Sequence, residues 1–324
     1  MAIKIGVVGV GVHGTHHLRL LSSMKGAELV GIFDTAAAEA KEKAAEFSTR
    51  AFPSLESLLD EVDCVSVAVP TTAHFDVVNA CFDHGRPVLV EKPIAVTVDE
   101  AERLVAHAKE KSLPFGVGHI ERFNSAYRSI AGSGVLPVFI ESHRLAIFNP
   151  RGTDVAVVLD LMIHDIDIVL DMVGRAVQTV QAVGVSVVSD AVDIANARLE
   201  FEGGCVANLT ASRISQKKLR KIRTFQRNAY ISMDFLTGES EVFTLASGAK
   251  PLPQPGVVPQ LMEGISYSRH PNDGKNALEI ELADFIGAVE RGGDPRVPGA
   301  EGTAALEVAA RVMKSMESSL RSLS

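Results

Sequence analysis

A lysine and an aspartate–histidine pair have the types and spacing needed to remove a proton from a hydroxyl group. Lys92 stands in the stretch VLVEKPIA, and Asp160 and His164 lie four residues apart in VVLDLMIHDIDIVLDMVG. Histidine is the usual base near neutral pH, and a carboxylate one helical turn away can orient its ring. The sequence therefore predicts Asp160 and His164 as catalytic. Lys92 directly follows an apolar run that is predicted to be a strand, and ligands of parallel sheets bind at the carboxyl ends of the strands. On position alone, Lys92 could equally be a surface lysine.

Four polar residues of the His164 segment share one helical face. Asp160, His164, Asp167 and Asp171 follow one another at spacings of four, three and four residues, among Leu, Ile, Val and Met. This periodicity indicates a partly buried helix. We interpret Asp171 as part of a solvated acidic stripe rather than as a functional group.

The candidate cofactor site is the glycine-rich turn of MAIKIGVVGVGVHGTHHLRLL, between an apolar run and a helical pattern. Gly9 permits the tight turn, Gly11 lets a pyrophosphate approach the backbone, and Gly14 lets the helix pack close to the sheet. Asp34, at the end of LVGIFD, suits the ribose hydroxyls and would repel a 2′-phosphate. We therefore predict that NAD binds here in preference to NADP. The alternative is a structural glycine turn with a surface aspartate.

Three histidines, His13, His16 and His17, follow the glycine turn closely. His13 and His17 are one helical turn apart and could share a metal ion, but no HExxH motif accompanies them. We therefore predict no metal site and interpret His13 as facing the nucleotide.

Cationic and polar residues elsewhere suit a phosphate-bearing substrate. The stretches GHIERFNSAYR and SQKKLRKIRTFQR are rich in such residues, and two arginines precede the His164 helix. Arginine binds phosphate through paired hydrogen bonds. The predicted substrate-binding residues are His119, Arg122, Asn124, Arg144 and Arg151. For the second stretch, a solvated strand edge is an equally good interpretation.

Short apolar runs alternate with helical patterns from residue 1 to residue 120. Strands that are apolar throughout are buried on both faces, as in a parallel sheet covered by helices. The predicted strands are Ile3–Val8, Leu29–Phe33, Cys64–Val69, Val88–Val90 and Phe115–Val117. The predicted helices are Thr15–Met24, Ala36–Phe47, Ala73–His84 and Val98–Lys111. We predict an α/β domain over residues 1–120, with the doubly wound parallel sheet of an NAD-binding Rossmann fold.

The pattern changes after residue 120, because helices no longer separate the strands. We predict an α+β substrate and oligomerisation domain over residues 121–324, with a large open, mainly antiparallel sheet and a C-terminal helix able to pack back on the first domain. Its predicted strands are Pro137–Ala146, Val177–Ser189, Ile194–Phe201, Cys205–Ser212, Ile222–Gln226 and Tyr230–Phe235. Its predicted helices are Glu121–Ala131, Leu159–Val173, Leu278–Arg291 and Thr303–Leu320, and residues 246–275 are predicted to form a loop.

Composition narrows the class of protein. The chain carries 32 Lys and Arg against 40 Asp and Glu, a net charge of −8, which argues against a nucleic-acid partner. No apolar run is long enough to span a membrane, and no signal peptide is recognisable. The three cysteines form no CxxC pair, which fits a reducing compartment. We expect a cytoplasmic protein with a small-molecule substrate.

Taken together, these motifs resemble the Gfo/Idh/MocA oxidoreductases, which include glucose–fructose oxidoreductase and inositol dehydrogenase. The likeness covers GVGVHG, AVPTTAHFDVV, VEKP, GHIERFNSAYR, DLMIHDID and the C-terminal stretch LADFIGAVERGGDPRVPGAEGTAALEVAARVMKS. It implies NAD(P)-linked oxidation or reduction of a sugar or polyol hydroxyl. It also implies a homodimer or homotetramer assembled through the C-terminal sheet.

The resemblance assigns roles residue by residue. Lys92, Asp160 and His164 match the family's catalytic residues. The positions that match its cofactor contacts are Gly9, Gly11, Val12, His13, Gly14, Asp34, Pro70, Thr71, His74, Glu91 and Lys92. Many members have Gly where this chain has Met162.

The resemblance leaves the substrate open. RGTDVAVVLDLMIHDID and KIRTFQRNAYISMDF are most similar to members that act on nucleotide sugars, the UDP-N-acetylglucosamine 3-dehydrogenases. The alternatives are a dehydrogenase of a free sugar or inositol, a biliverdin-type reductase, and an NAD-binding sensor without turnover. A sensor has no need to keep Lys92, Asp160 and His164 together.

Overall fold

A computed structural model describes residues 2–149, 155–246 and 264–321 of the chain. The chain divides into two compact units. The first comprises Met1–Ile120 and Asn276–Leu306, and the second comprises Glu121–Lys275 and Glu307–Ser324. Arg151, one of the predicted substrate-binding residues, lies outside the described residues.

A six-stranded sheet forms the centre of the first unit. Its strands are β1 (Ile3–Val8), β2 (Ala27–Phe33), β3 (Arg50–Ala51), β4 (Cys64–Val67), β5 (Val88–Glu91) and β6 (Phe115–Gly118). They lie in the order β3-β2-β1-β4-β5-β6, and every neighbouring pair is parallel. The predicted doubly wound sheet is confirmed; β3 was not predicted because two residues carry no periodicity. In this topology ligands bind beyond the carboxyl ends of β1 and β4, where the strand order reverses.

Helices connect these strands. They are α1 (Val12–Leu21), α2 (Ala37–Glu46), α3 (Leu55–Leu59), α4 (His74–Asp83) and α5 (Val98–Glu110). The start of α5 is a capping box, in which Thr97 and Glu100 each accept the other's backbone N–H. Such reciprocal bonds satisfy donors that the first turn of a helix leaves free.

An eight-stranded sheet dominates the second unit. Its strands are β7 (Phe139–Leu145), β8 (Val177–Val185), β9 (Ile194–Phe201), β10 (Val206–Ser212), β11 (Leu219–Gln226), β12 (Ala229–Asp234), β13 (Glu239–Leu245) and β14 (Ile265–His270). The order is β14-β13-β12-β11-β7-β10-β9-β8, antiparallel except for the pair β7 and β10. The predicted mainly antiparallel sheet is confirmed. The predicted loop over residues 246–275 is wrong in its last part, because β14 pairs there with β13 along its whole length.

Two helical segments of the second unit differ from their predicted form. The helix predicted over Glu121–Ala131 is a 3₁₀ turn, Ile120–Phe123, followed by the short helix α6 (Ser125–Arg128). The helix predicted over Leu159–Val173 starts as a π-helical turn, Val158–Met162, and continues as α7 (Ile163–Val173).

The helix α8 (Ala277–Arg291) packs into the core of the first unit. Its residues Leu282, Phe285 and Ile286 join a cluster with β1 and β2 residues such as Ile5 and Ile32. This contact explains why residues 276–306 group with the first unit rather than with the stretch after residue 120. The last helix, α9 (Gly299–Arg321), follows. No helix of the described residues is long and apolar enough to cross a membrane.

Candidate active site

The glycine turn after β1 is shaped by close backbone contacts. Gly9 has a φ of 92°, and a Cβ there would lie 2.6 Å from the Ala68 carbonyl oxygen. A Cβ on Gly14 would lie 1.9 Å from the Gly9 carbonyl oxygen. Gly11 caps the N-terminus of α1 and has open space where a side chain would be. The open space at Gly11 therefore leaves room beside the N-terminus of α1, which a pyrophosphate requires in order to approach the backbone.

The Asp34 carboxylate is held beside this turn. One of its oxygens accepts the backbone N–H of Val10 at 2.8 Å, and the other accepts the backbone N–H of Ala36 at 2.8 Å. These bonds orient the carboxylate at the end of β2, next to the first residues of the glycine turn. An acid in this place suits two ribose hydroxyls, so the described residues fit NAD.

Several other predicted cofactor contacts are accessible. Val12 is 64% exposed and the side chain of His13 is 63% exposed. Pro70 is exposed and Thr71 is partly exposed, in the turn that follows β4. Their accessibility is compatible with contacts to a cofactor, the role that the family resemblance implies for them, and that role remains a prediction.

Glu91, the last residue of β5, lies at the centre of a partly buried hydrogen-bond network. His17 Nε2 donates to one carboxylate oxygen at 3.1 Å, and His13 Nδ1 lies 3.5 Å from the same oxygen. The other oxygen accepts the backbone N–H of Lys92 at 3.2 Å. Burial raises the pKa of the Glu91 carboxyl, but the hydrogen bonds from His13 and His17 outweigh burial and hold that pKa well below its usual range. Glu91 is therefore ionised and serves as an acceptor on both of its oxygens.

His74 contacts the backbone on the C-terminal side of Lys92. Its ring is buried, with Nδ1 2.9 Å from the Pro93 carbonyl oxygen and Nε2 3.0 Å from the Val69 carbonyl oxygen. The Lys92–Pro93 peptide bond is cis. The predicted cofactor contact of His74 is therefore revised. Both ring nitrogens face backbone carbonyls, so His74 joins the segment after β4 to the segment after β5.

The π-helical turn and α7 place the predicted catalytic pair of the second unit. Asp160 and His164 are partly exposed, whereas Met162 between them is fully buried. Interruptions of this kind in α-helices are frequent at functional sites. A carboxylate and an imidazole on the accessible part of this segment can act together on a hydroxyl proton.

Arg122 binds two carboxylates of α7. Its guanidinium donates to both oxygens of Asp167, at 2.7 and 3.0 Å, and pairs with Asp171 at 2.7 Å. Asp171 also accepts the hydroxyl of Tyr127. Asp171 is exposed, as the interpretation of a solvated stripe predicts, although it also pairs with Arg122 and Tyr127. Asp167, by contrast, lies in the buried interior.

Arg144 binds two further carboxylates. It donates to Asp165 at 2.7 and 2.9 Å and to Glu121 at 2.8 Å, and all three side chains are buried. Burial lowers the pKa of this guanidinium, but the adjoining Asp165 and Glu121 outweigh burial and raise it above its usual value. Together, Arg122 and Arg144 bind three carboxylates of α7, Asp165, Asp167 and Asp171, which follow His164 in the helix.

The predicted substrate-binding residues are therefore revised. Arg122 and Arg144 are used in internal ion pairs, which leaves neither guanidinium to a phosphate. Asn124 caps α6 and donates to Glu121 and to the Phe235 carbonyl. His119 is 1% exposed. Arg122, Asn124 and Arg144 therefore make internal contacts of the second unit, and His119 is buried in the first.

Sequence reasoning assigned no role to two residues of the Glu91 network. In the sequence His17 is only a possible metal ligand. Ser66, whose hydroxyl oxygen lies 2.7 Å from His17 Nδ1, is a small residue of the buried strand β4 and carries no signal of its own. The i,i+4 spacing of His13 and His17 was a usable signal, because residues so spaced share a helical face and can meet one acceptor.

Two family models match consecutive parts of the chain. The model described as an oxidoreductase family with an NAD-binding Rossmann fold matches residues 3–119. The model of the GFO/IDH/MocA C-terminal domain matches residues 118–230. The predicted oxidoreductase class and the NAD-binding fold are thereby confirmed.

Individual proteins are similar over much longer stretches. UDP-N-acetylglucosamine 3-dehydrogenase from Acidithiobacillus ferrooxidans is 36% identical over 321 residues, which cover 98% of this chain and 99% of that protein. A solved structure of that enzyme superposes with a TM-score of 0.91 at 35% identity, covering 98% of each chain. The scyllo-inositol 2-dehydrogenase (NAD(+)) of Bacillus subtilis is 27% identical over 66% of this chain and 68% of its own length.

Proposed function

Because the chain belongs to the GFO/IDH/MocA oxidoreductase family, we propose that it oxidises a hydroxyl of a nucleotide sugar with NAD, at C3 of UDP-N-acetylglucosamine. The observation that carries this proposal is the end-to-end similarity to an enzyme of that name, 36% identical over 98% of the chain. The accessible glycine turn, the oriented Asp34 and the Asp160–His164 pair supply the parts that such a reaction needs.

The proposed mechanism gives each residue one task. When bound, NAD accepts the hydride that leaves the sugar carbon. His164 takes the proton of the reacting hydroxyl, and Asp160 favours the charged form of the imidazole. Lys92 donates a hydrogen bond to the same oxygen and stabilises the negative charge that develops on it.

The binding of NAD is assigned to the first unit. The N–H groups at the start of α1 hold the pyrophosphate, and Asp34 accepts the ribose hydroxyls. The carboxylate repels a 2′-phosphate, so NAD is favoured over NADP.

A direct test follows the product. Purified protein is mixed with NAD and UDP-N-acetylglucosamine, and NADH absorbance is recorded together with the mass of the product. We expect a keto sugar nucleotide that is lighter than the substrate by one molecule of hydrogen. NADH formation from inositol or a free sugar, with none from the UDP-sugar, would instead support the second candidate, which the similarity to the B. subtilis inositol enzyme favours.

Replacing Asp34 with Ala tests the cofactor preference. We expect the affinity for NADH to fall by about 10- to 100-fold, since a charged acceptor of hydrogen bonds contributes about 1.5–3 kcal/mol. The affinity for NADPH should change much less, because the repulsion of its 2′-phosphate disappears together with the hydrogen bonds. The measurement is titration of each cofactor by nicotinamide fluorescence.

A matched control for Asp34 is Asp63→Ala. Asp63 also accepts a backbone N–H, that of Lys4 at 2.8 Å, but it precedes β4 at the opposite end of the sheet. Its loss should leave both affinities unchanged. Equal losses of NADH and NADPH affinity in Asp34→Ala would contradict the ribose role.

The open face of the large sheet is the proposed site of self-association. Five aromatic side chains stack across β7, β11, β12, β13 and β14 with ring centroids 4.8–5.7 Å apart. They are Phe139, Phe225, Tyr230, Phe243 and Tyr267. All are at least partly exposed, while neighbouring residues such as Ile140 and Ile231 are buried on the other face. A continuous aromatic surface of this kind is typical of a protein interface.

We expect Phe225→Lys to reduce a dimer or tetramer to a smaller species, because a charge would be buried in the aromatic interface. Molar mass is measured by light scattering after size-exclusion chromatography. Val96→Lys, at a half-exposed valine of the first unit, is the control. A wild-type monomer, or an unchanged mass for Phe225→Lys, would refute this interface.

A cytoplasmic location belongs to the same proposal. Cys64, Cys81 and Cys205 are buried and form no disulfide with one another. Unpaired thiols are usual in proteins that work in a reducing compartment.

A further inference from the structure

His17 joins the helix after the glycine turn to the ends of two strands. Its imidazole is 1% exposed. Nδ1 lies 2.7 Å from the hydroxyl oxygen of Ser66 on β4, and Nε2 lies 3.1 Å from the carboxylate of Glu91 on β5. A buried imidazole with both nitrogens bonded is fixed in position and orientation.

The hydrogen-bond partners of His17 determine which of its ring nitrogens carries the hydrogen. An ionised carboxylate only accepts, so His17 Nε2 carries the hydrogen that Glu91 receives. In the neutral ring Nδ1 then accepts from the Ser66 hydroxyl. Glu91 in turn receives the backbone N–H of Lys92 on its second oxygen, at 3.2 Å. A continuous path of hydrogen bonds therefore runs from β4 through His17 and Glu91 to the backbone of Lys92.

The next peptide is held independently. His74 contacts the carbonyl of Pro93 at 2.9 Å, so the residues on both sides of Lys92 are bonded to buried histidines. Lys92 itself is partly buried. Where the backbone of a lysine is fixed, its ammonium group samples fewer positions, and a displacement of about 1 Å at a reacting group can lower a rate about 100-fold.

We infer that His17 is a positioning residue for Lys92, acting through the Glu91 carboxylate. This inference rests on the proposed function, because it takes Lys92 as the donor to the reacting oxygen. His17 lies on α1, whose first turn forms the cofactor site. One helix therefore serves both the pyrophosphate and the catalytic lysine.

The test compares two amide substitutions of different reach. Glutamine places its amide nitrogen near the position of Nε2 and keeps a donor for Glu91. The amide nitrogen of asparagine reaches only the position of Nδ1, so the hydrogen bond to the Glu91 carboxylate is lost. We expect His17→Asn to lower kcat at least about 10-fold with the Kd of NADH unchanged, and His17→Gln to recover most of that loss. Equal kcat values for His17→Asn and the wild type would overturn the inference.

A double-mutant cycle tests the route through Glu91. If His17 acts only through that carboxylate, the variant His17→Asn/Glu91→Gln has the kcat of Glu91→Gln alone. If the two losses multiply, the residues act separately and the inference is wrong. The matched control is His107→Asn, since His107 also bonds a side chain of the first unit, that of Asn79 at 2.8 Å, but no residue of this network. It should leave kcat unchanged.

Two further variants keep the test decisive. Should His17→Asn fail to fold, Ser66→Ala removes the partner of Nδ1 without removing the ring, and we expect it to lower kcat while NADH binding persists. Unchanged kcat in Ser66→Ala and in Glu91→Gln would refute the inference. Retained turnover in Lys92→Met would instead refute the proposed role of Lys92. Loss of turnover in Lys92→Met, with full activity in His17→Asn, would refute the role of His17 alone.

Discussion

Replacing Lys92 with Met should lower kcat by about 10²- to 10³-fold, equivalent to about 2.7–4 kcal/mol of lost transition-state stabilisation. Methionine has nearly the length of lysine but cannot donate a hydrogen bond to the oxygen that loses its proton. The Kd of NADH should stay close to that of the wild type, because Asp34 and the glycine turn are untouched. Single-turnover kinetics with UDP-N-acetylglucosamine, together with a fluorescence titration of NADH, separate the two quantities.

The control for Lys92→Met is Lys111→Met. Lys111 is an exposed lysine that follows α5 in the same unit. Its replacement removes the same charge from the unit without touching the proposed site, so kcat should be unchanged. A Lys92→Met variant with wild-type turnover would show that another group stabilises the developing charge.

Replacing Arg144 with Met should destabilise the protein by about 3–5 kcal/mol, or roughly 10 °C in Tm. The change leaves Asp165 buried without its guanidinium, whereas Glu121 keeps a second cation, the exposed Arg220, at 3.7 Å. A buried carboxylate without a partner is costly, because little water is present to solvate it. Urea denaturation, monitored by far-UV circular dichroism, gives the free energy of unfolding.

The control for Arg144→Met is Arg198→Met. Arg198 pairs with Glu200 at 3.1 Å, but both side chains are about two-fifths exposed, and pairs of this kind contribute about 0–1 kcal/mol. The second substitution Asp165→Asn should restore part of the stability that Arg144→Met loses, since it removes the unpaired charge. A loss in Arg144→Met no larger than in Arg198→Met would mean that the buried group is not required for stability.

Local patterns were enough to predict the parallel sheet and the glycine turn. The strands β1 and β9 have the predicted bounds, Ile3–Val8 and Ile194–Phe201. Continuous apolar runs identify strands buried on both faces, and alternation identifies strands with one exposed face. The crowding around Gly9 and Gly14 is equally local, because both glycines belong to one strand–turn–helix unit.

Other elements depend on a partner strand. The strands β3, β13 and β14 were not predicted. The first has two residues, and the last lies in a stretch rich in polar residues. Such segments become strands only when a neighbour supplies hydrogen bonds, as β13 does for β14. The strength of that pairing is not visible in the residues themselves.

The role of each charged residue was decided by tertiary structure. The sequence by itself indicated the oxidoreductase class, because the glycine turn, Asp34, Lys92 and the Asp160–His164 pair carry the resemblance to the Gfo/Idh/MocA family. It could not show that Arg122 pairs with Asp167, which is 45 residues away in the chain, or that His17 reaches a carboxylate 74 residues away. From the sequence alone, a cationic side chain can equally bind a substrate or pair with a carboxylate of the protein itself. Burial and the proximity of oppositely charged groups select between them, and only the folded chain creates both.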